Sequence, residues 1–476
     1  MAIYFEKETK NGIITSGDKM NIESIYQAQK TFFETNTTLD YHFRKAMLKR
    51  LYQGIIRYRE KLVSALRNDL SKGETEAILT EIWIVLSEIK FHQKHLQKWM
   101  KPKRVKTPLV LKPGKSYQIA QPLGVNLILS PWNYPLHLAL MPLVGAISSG
   151  GTAVIKPSSQ TAESAKVLQE MIRELFEPQY VTVVIGNHDV ADELLNQPFD
   201  HIFFTGSTAV GKKIAAIGAK NLTKVTLELG GKSPAIIHNV TRIDKIAQRL
   251  LFGKIINAGQ TCVAPDYVIC HKSMLKSTVN ALNYYLKEML GENPCDNEDY
   301  PRIISEKHFD RLTRYLENAN ILGGGTYNRK TLKISPTFIL LEDINAPIMQ
   351  EEIFGPILPI ITYQDEEEIF EIIKRHPNPL ALYVFSENKF FNNRIISGIK
   401  SGGVSVNDTI SHLVNHHLPF GGIFSSGMGS YHGYQSFLTF SHFKSVYEKH
   451  PRMELKIKYP PYSERTKKII KRFFLK

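Results

Sequence analysis

Cys262, Cys270 and Cys295 are the only thiols in a chain of 476 residues. A thiolate is the strongest side-chain nucleophile near neutral pH, so each is a candidate for covalent chemistry. Cys270 belongs to the apolar run Tyr267-Val268-Ile269-Cys270, which reads as a packed strand. Cys295 sits in Glu292-Asn293-Pro294-Cys295-Asp296, where neighbouring acids disfavour a thiolate. Cys262, in Asn257-Ala258-Gly259-Gln260-Thr261-Cys262-Val263-Ala264-Pro265-Asp266, stands between small and polar residues and is the thiol best suited to attack. A lone cysteine needs partners, and two segments offer them. Glu228 ends the strand-like run Val225-Thr226-Leu227 just before Gly230-Gly231, which places a carboxylate at a strand terminus. Asn133 lies in Pro131-Trp132-Asn133-Tyr134-Pro135, where prolines fix the backbone and the amide can donate to a developing oxyanion. Taken singly, each also reads as a locally satisfied turn residue.

Gly206-Ser207-Thr208-Ala209-Val210-Gly211-Lys212-Lys213 follows a strand and opens a helix. It nearly matches the nucleotide triphosphatase loop, but Lys213 occupies the position where that loop needs a hydroxyl for magnesium. Glycines that admit a close approach, and free N–H groups at a helix start, still favour a phosphate. A dinucleotide pyrophosphate fits this loop better than a triphosphate; the plainer alternative is a strand-to-helix turn. His412, His416 and His417 include two residues four apart, but no cysteine or carboxylate cluster joins them, so they read as solvated or packing histidines and no metal site is expected.

These residues must be carried by regular elements. From Ile22 to about Trp99 apolar residues recur at helical spacing among charged ones, predicting amphipathic helices. Short β-rich runs then appear at Val125–Leu129, Ala153–Ile155, Val181–Ile185 and His201–Phe204, separated by helical segments such as Ala162–Phe176 and Val190–Leu195. A second alternating series includes Ala235–Ile237, Tyr267–Cys270, Ile357–Ile361 and Ala381–Phe385. Strands alternating with helices predict parallel sheets covered on both faces, hence two α/β domains. The stretch from Ser116 to Ile155 carries no Asp, Glu, Lys or Arg, but four prolines and four glycines break it into pieces too short to span a membrane. The N-terminus meets Glu6 too early for a signal peptide.

Hydrophobic residues at 43% and charged residues at 22% exclude a disordered or collagen-like chain, and three cysteines cannot build a disulfide framework. The net charge is +15, and nearly half of that surplus falls after Pro451, where nine basic residues face two acidic ones. So local a surplus argues for a C-terminal appendage rather than a protein-wide nucleic-acid surface.

Together, in this order, these segments resemble the aldehyde dehydrogenase superfamily over roughly residues 22 to 462. The blocks that carry the resemblance are Glu228-Leu229-Gly230-Gly231-Lys232-Ser233-Pro234, Gly259-Gln260-Thr261-Cys262 and Glu352-Ile353-Phe354-Gly355-Pro356. Leu418-Pro419-Phe420-Gly421-Gly422, Ser426-Gly427-Met428-Gly429, Tyr431-His432-Gly433 and Lys458-Tyr459-Pro460-Pro461-Tyr462 are similar to the class 3 branch, which includes fatty-aldehyde members. The resemblance implies an α/β fold of two doubly wound domains, a Rossmann-like cofactor domain (20–100 and 125–228) and a catalytic domain (229–425). A bridging or oligomerisation element (101–124 and 426–462) would join them, with an N-terminal extension (1–19) and a basic amphipathic tail (463–476). It implies NAD or NADP as cofactor, an aldehyde as substrate and a homodimer in the cytoplasm. Cys262 would form the thiohemiacetal, Asn133 and the Cys262 N–H would hold the oxyanion, and Glu228 would be the general base. Lys156 and Ser159 would face the adenosine ribose, and Gly206, Ser207, Thr208 and Gly211 the pyrophosphate. Trp132, Leu229, Glu352 and Phe354 would complete the cofactor site on the nicotinamide side.

Two departures stand out. Ser159 replaces a glutamate common in the family, which removes repulsion against a 2′-phosphate and makes NADP plausible beside NAD. Phe424 stands where relatives usually carry glycine, and would either reshape the substrate entrance or fill a core gap. Lys467-Lys468-Ile469-Ile470-Lys471-Arg472-Phe473-Phe474 alternates charged and apolar pairs, fitting a helix docked on the protein or laid on an anionic membrane. The expected reaction is oxidation to a free acid; the alternatives are acyl transfer to coenzyme A and a non-catalytic scaffold that keeps the fold.

Overall fold

The computed structural model describes residues 21–454 and 458–475, so the expected extension 1–19 lies outside the described residues. Two compact units emerge, one built from the chain up to Trp99 with Pro122–His442, the other from Met100–Gln121 and the chain from Phe443 onward.

In the first unit the amphipathic run folds into helices Ile22–Glu34, Tyr41–Leu70 and Ile84–Met100, with a short helix Glu74–Ala77 and a π-helical turn Ile78–Trp83 between the last two. Leu48, Leu51, Ile55, Leu62, Leu66 and Leu70 form the buried stripe of the longest helix. The Asp40 carboxylate caps its start by accepting from Phe43 N (2.8 Å). At Gly54 this helix meets the side chain of Leu175 on helix Ala162–Leu175; a Cβ there would lie 2.2 Å from Leu175 Cδ1.

The first sheet comprises β3 (Val125–Leu129), β4 (Thr152–Lys156), β5 (Val181–Val183), β6 (His201–Thr205) and β7 (Lys224–Glu228), all parallel, with β17 (Gly427–Met428) added antiparallel beside β7. The chain starts at β3, runs outward to β5, then returns to β6 and β7. The order reverses between β3 and β6, and the crevice beyond the carboxyl ends at such a point is where this architecture binds ligands. Every residue of β3, β4 and β6 is buried, because helices cover both faces. The charge-free stretch supplies β3, β4 and the wholly buried helix His137–Ser149 between them. Among the described residues no helix is long and apolar enough to cross a membrane.

The second sheet has the order β10-β13-β14-β9-β8-β15-β16, with β8 (Pro234–Ile237), β9 (Tyr267–His271), β10 (Asn320–Gly323), β13 (Thr337–Leu340), β14 (Ile357–Tyr363), β15 (Ala381–Phe385) and β16 (Gly403–Val406). All neighbours are parallel except β10 and β13, and a small ribbon of β11 (Tyr327–Asn328) and β12 (Lys333–Ile334) stands apart. The α/β architecture of two parallel sheets follows the alternating pattern in the sequence.

The second unit contains a three-stranded sheet of β1 (Lys103–Val105), β2 (Gly114–Pro122) and β18 (Ser441–Lys449). Tyr447 donates its hydroxyl to the Leu111 carbonyl (2.5 Å), crossing from β18 to the turn that precedes β2. Its second arm starts at Phe443; residues 427–428, upstream of it, pair with β7 in the first sheet. The basic tail forms helix Glu464–Phe474, capped by the Ser463 hydroxyl, which accepts from Thr466 N (3.2 Å).

Candidate active site

Helix Ile243–Ile255 delivers the cysteine loop. After it, Asn257 (φ 51°), Ala258 (φ 51°) and Gly259 (φ 73°) are three consecutive residues in the left-handed region. For the two non-glycine residues that conformation costs on the order of 1–3 kcal/mol each and persists only when surroundings over-determine it. They do. Asn257 donates its backbone N–H to Glu76 Oε1 (2.8 Å) and its side-chain amide to the carbonyls of Asn133 (2.8 Å) and Gln260 (3.1 Å). Gln260 Nε2 in turn donates to Asn257 O and Arg302 O, both at 3.0 Å. Gly259 must be glycine for a second reason, since a Cβ would lie 2.3 Å from the carbonyl oxygen of Gly355. The turn leaves Cys262 half-buried on the wall of a cavity of about 740 Å³. Asn133, on the same wall, donates from Nδ2 to Gln260 O (3.0 Å), which anchors the amide to the cysteine loop and leaves one of its two N–H donors available.

Glu228 is the last residue of β7, and its carbonyl accepts from Gly206 N (3.0 Å), the residue after β6. Both of its carboxyl oxygens are buried without a partner, and burial pushes this group well above the usual carboxylate range. Burial, then the charges of Glu352 and Glu228, push the Cys262 thiol up. Both shifts favour the neutral forms, a thiol and a carboxylic acid.

Glu352 reaches the same cavity across Gly230, where a Cβ would lie 1.9 Å from Glu352 Oε2. Burial and the neighbouring Asp266 push its carboxyl up to about 8, partly offset by the Gly231 backbone, Lys232 and Lys254. The strap that carries Glu352 is held through its backbone. Lys232 Nζ, paired with Asp266 Oδ2 (2.5 Å), donates to Ile348 O (3.1 Å) and Glu351 O (2.9 Å). Asp266 Oδ1 accepts from Ile353 N (3.0 Å), and Arg311 Nη2 donates to Ile353 O (2.6 Å).

Ten of the expected site residues line this one cavity: Trp132, Asn133, Gly206, Ser207, Thr208, Glu228, Leu229, Cys262, Glu352 and Phe354. Phe354 packs edge-on to Trp132 at 5.3 Å between ring centroids. Three others lie elsewhere. Gly211 is a turn into helix Thr208–Asn221 and lets that helix close on the side chain of Leu229, which a Cβ would meet at 2.6 Å. Lys156 is buried at the end of β4, with Nζ donating to Pro157 O (3.2 Å), and Ser159 is exposed in the turn that follows. His308, Arg311, Arg375, His376 and Ser425 also line the cavity, yet nothing in their local sequence marks them. The fold alone brings them in.

The other candidates resolve into packing. Cys270 is buried in β9. Cys295 is buried in the turn Pro294–Asp296, where burial comes first among the causes that raise its thiol, with Asp296 a lesser one. His416 Nδ1 shares a proton with the buried Glu88 (2.7 Å) and its Nε2 with Ser87 (2.8 Å); His412 pairs with Ser405 (2.9 Å). Phe424 is 71% exposed, so it fills no core gap.

The geometry suits an anionic dinucleotide. Gly206, Ser207 and Thr208 place the start of a 14-residue helix at the cavity, beside the missing side chain of Gly230.

Comparison with known proteins gives the same direction. A model of the Aldehyde dehydrogenase family matches residues 5–446. The chain is 45% identical over 455 residues to the 4,4'-diaponeurosporen-aldehyde dehydrogenase of Staphylococcus aureus (strain NCTC 8325 / PS 47), covering 95% of this chain and 99% of that one. It is 40% identical to the "Aldehyde dehydrogenase, dimeric NADP-preferring" of Canis lupus familiaris, covering 92% and 98%. The solved substrate-bound state of Staphylococcus aureus AldH superposes with a TM-score of 0.93 at 45% identity, covering 96% of this chain and all of that one.

Proposed function

Since the chain belongs to the aldehyde dehydrogenase family, we propose that this dehydrogenase converts medium- or long-chain or aromatic aldehydes to free carboxylic acids through covalent attack by Cys262. The observation that carries this reading is the sharing of one cavity by Cys262, Asn133 and Glu228 with the start of helix Thr208–Asn221.

An aldehyde has no leaving group, so its hydrogen departs as hydride only after a tetrahedral adduct supplies the push. Cys262 gives up its thiol proton to solvent, its sulfur bonds to the carbonyl carbon as the C=O π bond opens, and the oxygen takes up negative charge against the available N–H of Asn133 and the backbone N–H of Cys262. NAD or NADP, when bound, supplies the hydride acceptor. The thioester left on Cys262 is then opened by water whose proton passes to Glu228; the carbon–sulfur bond breaks, and the sulfur regains its proton as the acid leaves. Burial holds the Glu228 carboxyl well above its usual range, so its basic form grows as pH rises, and turnover should rise with it.

Gly206, Ser207, Thr208 and Gly211 would hold the pyrophosphate, Lys156 and Ser159 the adenosine ribose, and Trp132, Leu229, Glu352 and Phe354 the nicotinamide end. Ser159 brings no carboxylate, which supports use of NADP as well as NAD. Tyr134, Leu138, Ile256 and Ile410 form a small apolar cluster beside the cysteine loop, suited to an acyl chain. On this reading 20–100 with 125–228 form the cofactor domain, 229–425 the catalytic domain, and 101–124 with 426–462 the bridging element. The Canis relative's name supports a homodimer, and three free thiols suit the reducing cytoplasm. The tail helix, basic and exposed, fits an anionic membrane surface; a chain ending at Tyr462 should then sediment less with anionic vesicles, and equal partitioning would exclude that contact.

The test is an aldehyde chain-length series with NAD and with NADP, without coenzyme A. Reduced nicotinamide and free acid should form in equal amounts. Acid that appears only with coenzyme A, or an absence of absorbance change across the series, would overturn the reading.

A further inference from the structure

Three charged residues of the helical segment before the first sheet reach both loops of the site without lining its cavity. Lys72 and Glu81 are wholly buried and joined at 2.6 Å (Nζ to Oε1). Burying two charges costs several kcal/mol per ion and is tolerated only where geometry and further hydrogen bonds compensate. Here they do. Glu81 Oε2 accepts from Leu136 N and His137 N, both at 3.0 Å, at the start of the buried helix His137–Ser149, where an anion is favoured. Lys72 Nζ stands 4.3 Å from the ring centre of Tyr134, and the Tyr134 hydroxyl bonds Thr261 Oγ1 (2.7 Å), the residue before Cys262. Glu76 Oε1 accepts the N–H of Asn257, the first residue of the left-handed turn. The π-helical turn Ile78–Trp83 lies between Glu76 and ends two residues after Glu81, a local distortion common where function fixes side-chain direction.

Two arms thus leave one short segment. One runs through Glu81 and Lys72 to Tyr134–His137, the other through Glu76 to Asn257. They converge where Asn133 Nδ2 donates to Gln260 O and Asn257 Nδ2 donates to Asn133 O. We propose that Glu76 and the Lys72–Glu81 pair are positioning residues that hold the strained Asn257–Gly259 turn and register the Asn133 amide against Cys262. This rests on the aldehyde-oxidation reading above. It assigns the helical segment a part in the chemical step, separate from cofactor binding.

The test compares Glu76→Ala and Glu76→Gln in the full-length enzyme. Glutamine keeps an acceptor oxygen for Asn257 N–H; alanine does not. A misplacement of about 1 Å costs on the order of 10²-fold, so the rate of the first-turnover absorbance burst and kcat should fall roughly 10- to 100-fold in Glu76→Ala, with KM for NAD within about twofold of wild type. Glu76→Gln should recover most of that loss. If Glu76→Ala melts below the assay temperature, Glu76→Asp, whose shorter arm falls back from Asn257, takes its place with the same expected loss. A wild-type burst rate in the shortened variant, or equal impairment of Glu76→Gln, would overturn the proposal, as would a rise in KM for NAD matching the fall in kcat. Failure of the aldehyde reading shows differently, as a wild-type enzyme inert toward every aldehyde. In that case the rate of Cys262 alkylation by iodoacetamide, followed by mass, replaces the burst: it should change in Glu76→Ala and be restored in Glu76→Gln, and equal rates in all three proteins would overturn the positioning role.

Discussion

At the scale of single residues, burial favours the neutral forms of both Cys262 and Glu228. Glu228 is pushed up because its oxygens are buried without a partner among the described residues, and Cys262 is pushed up first by burial and then by nearby carboxyls. Replacing Glu228 by glutamine should leave the first hydride transfer and stop the release of acid. A stopped-flow burst followed by a steady rate lower by about 10²- to 10⁴-fold is expected; a steady rate equal to wild type would remove the assigned role. Phe424 adopts φ 53° while exposed, a conformation that costs an ordinary side chain roughly 1–2 kcal/mol. Phe424→Gly should raise the melting temperature in calorimetry, less whatever glycine loses in the unfolded chain. Cys262, Glu228 and Asn133 stand out in the sequence as candidates by residue type and immediate neighbours, and the fold brings all three to one cavity. The left-handed Asn257 and Ala258 do not stand out, since neither residue type announces such a turn and its support comes from Glu76, far away along the chain.

At the scale of elements the loops are set by charges that act on backbone. The strap bearing Glu352 is held by Lys232, Asp266 and Arg311, and Lys232–Asp266 is buried on both sides. Lys232→Met leaves Asp266 with an uncompensated charge and should cost ~3–5 kcal/mol by denaturant unfolding. Asp266→Asn in the same chain should return part of that stability, while KM for NAD stays raised because Ile348 and Glu351 have lost their donor. Additive losses in the double variant would show that the pair is not coupled. The inner strands β3, β4, β6, β8 and β15 could be read from β-rich runs because they are buried on both faces, whereas the more exposed β10 and β16 carry no such run. The strap could not, because Lys232 and Arg311 reach it across gaps in sequence that no periodicity reveals. Within the glycine loop, Gly211 also packs helix Thr208–Asn221 onto Leu229, a contact that the loop's spacing does not announce.

For the whole molecule the buried carboxyls set the response to pH. Glu352 is raised from 4.5 to about 8, mainly by burial, and Glu76 to about 7 for the same reason. The fold favours their protonated forms. Their contribution to stability is complete below about 4.5, and is lost as pH rises toward 7 for Glu76 and 8 for Glu352. The melting temperature should therefore fall between about pH 4.5 and pH 8, and Glu352→Gln, which cannot ionise, should flatten that fall; parallel profiles would refute the linkage. One contact also bears on how such an enzyme can be changed. The backbones of Gly259 and Gly355 touch with no room for a methyl group, so the Cys262 loop and the loop beside Glu352 cannot drift independently. Libraries meant to retune substrate range should leave both glycines untouched and vary Leu138, which lines the cavity away from that backbone seam.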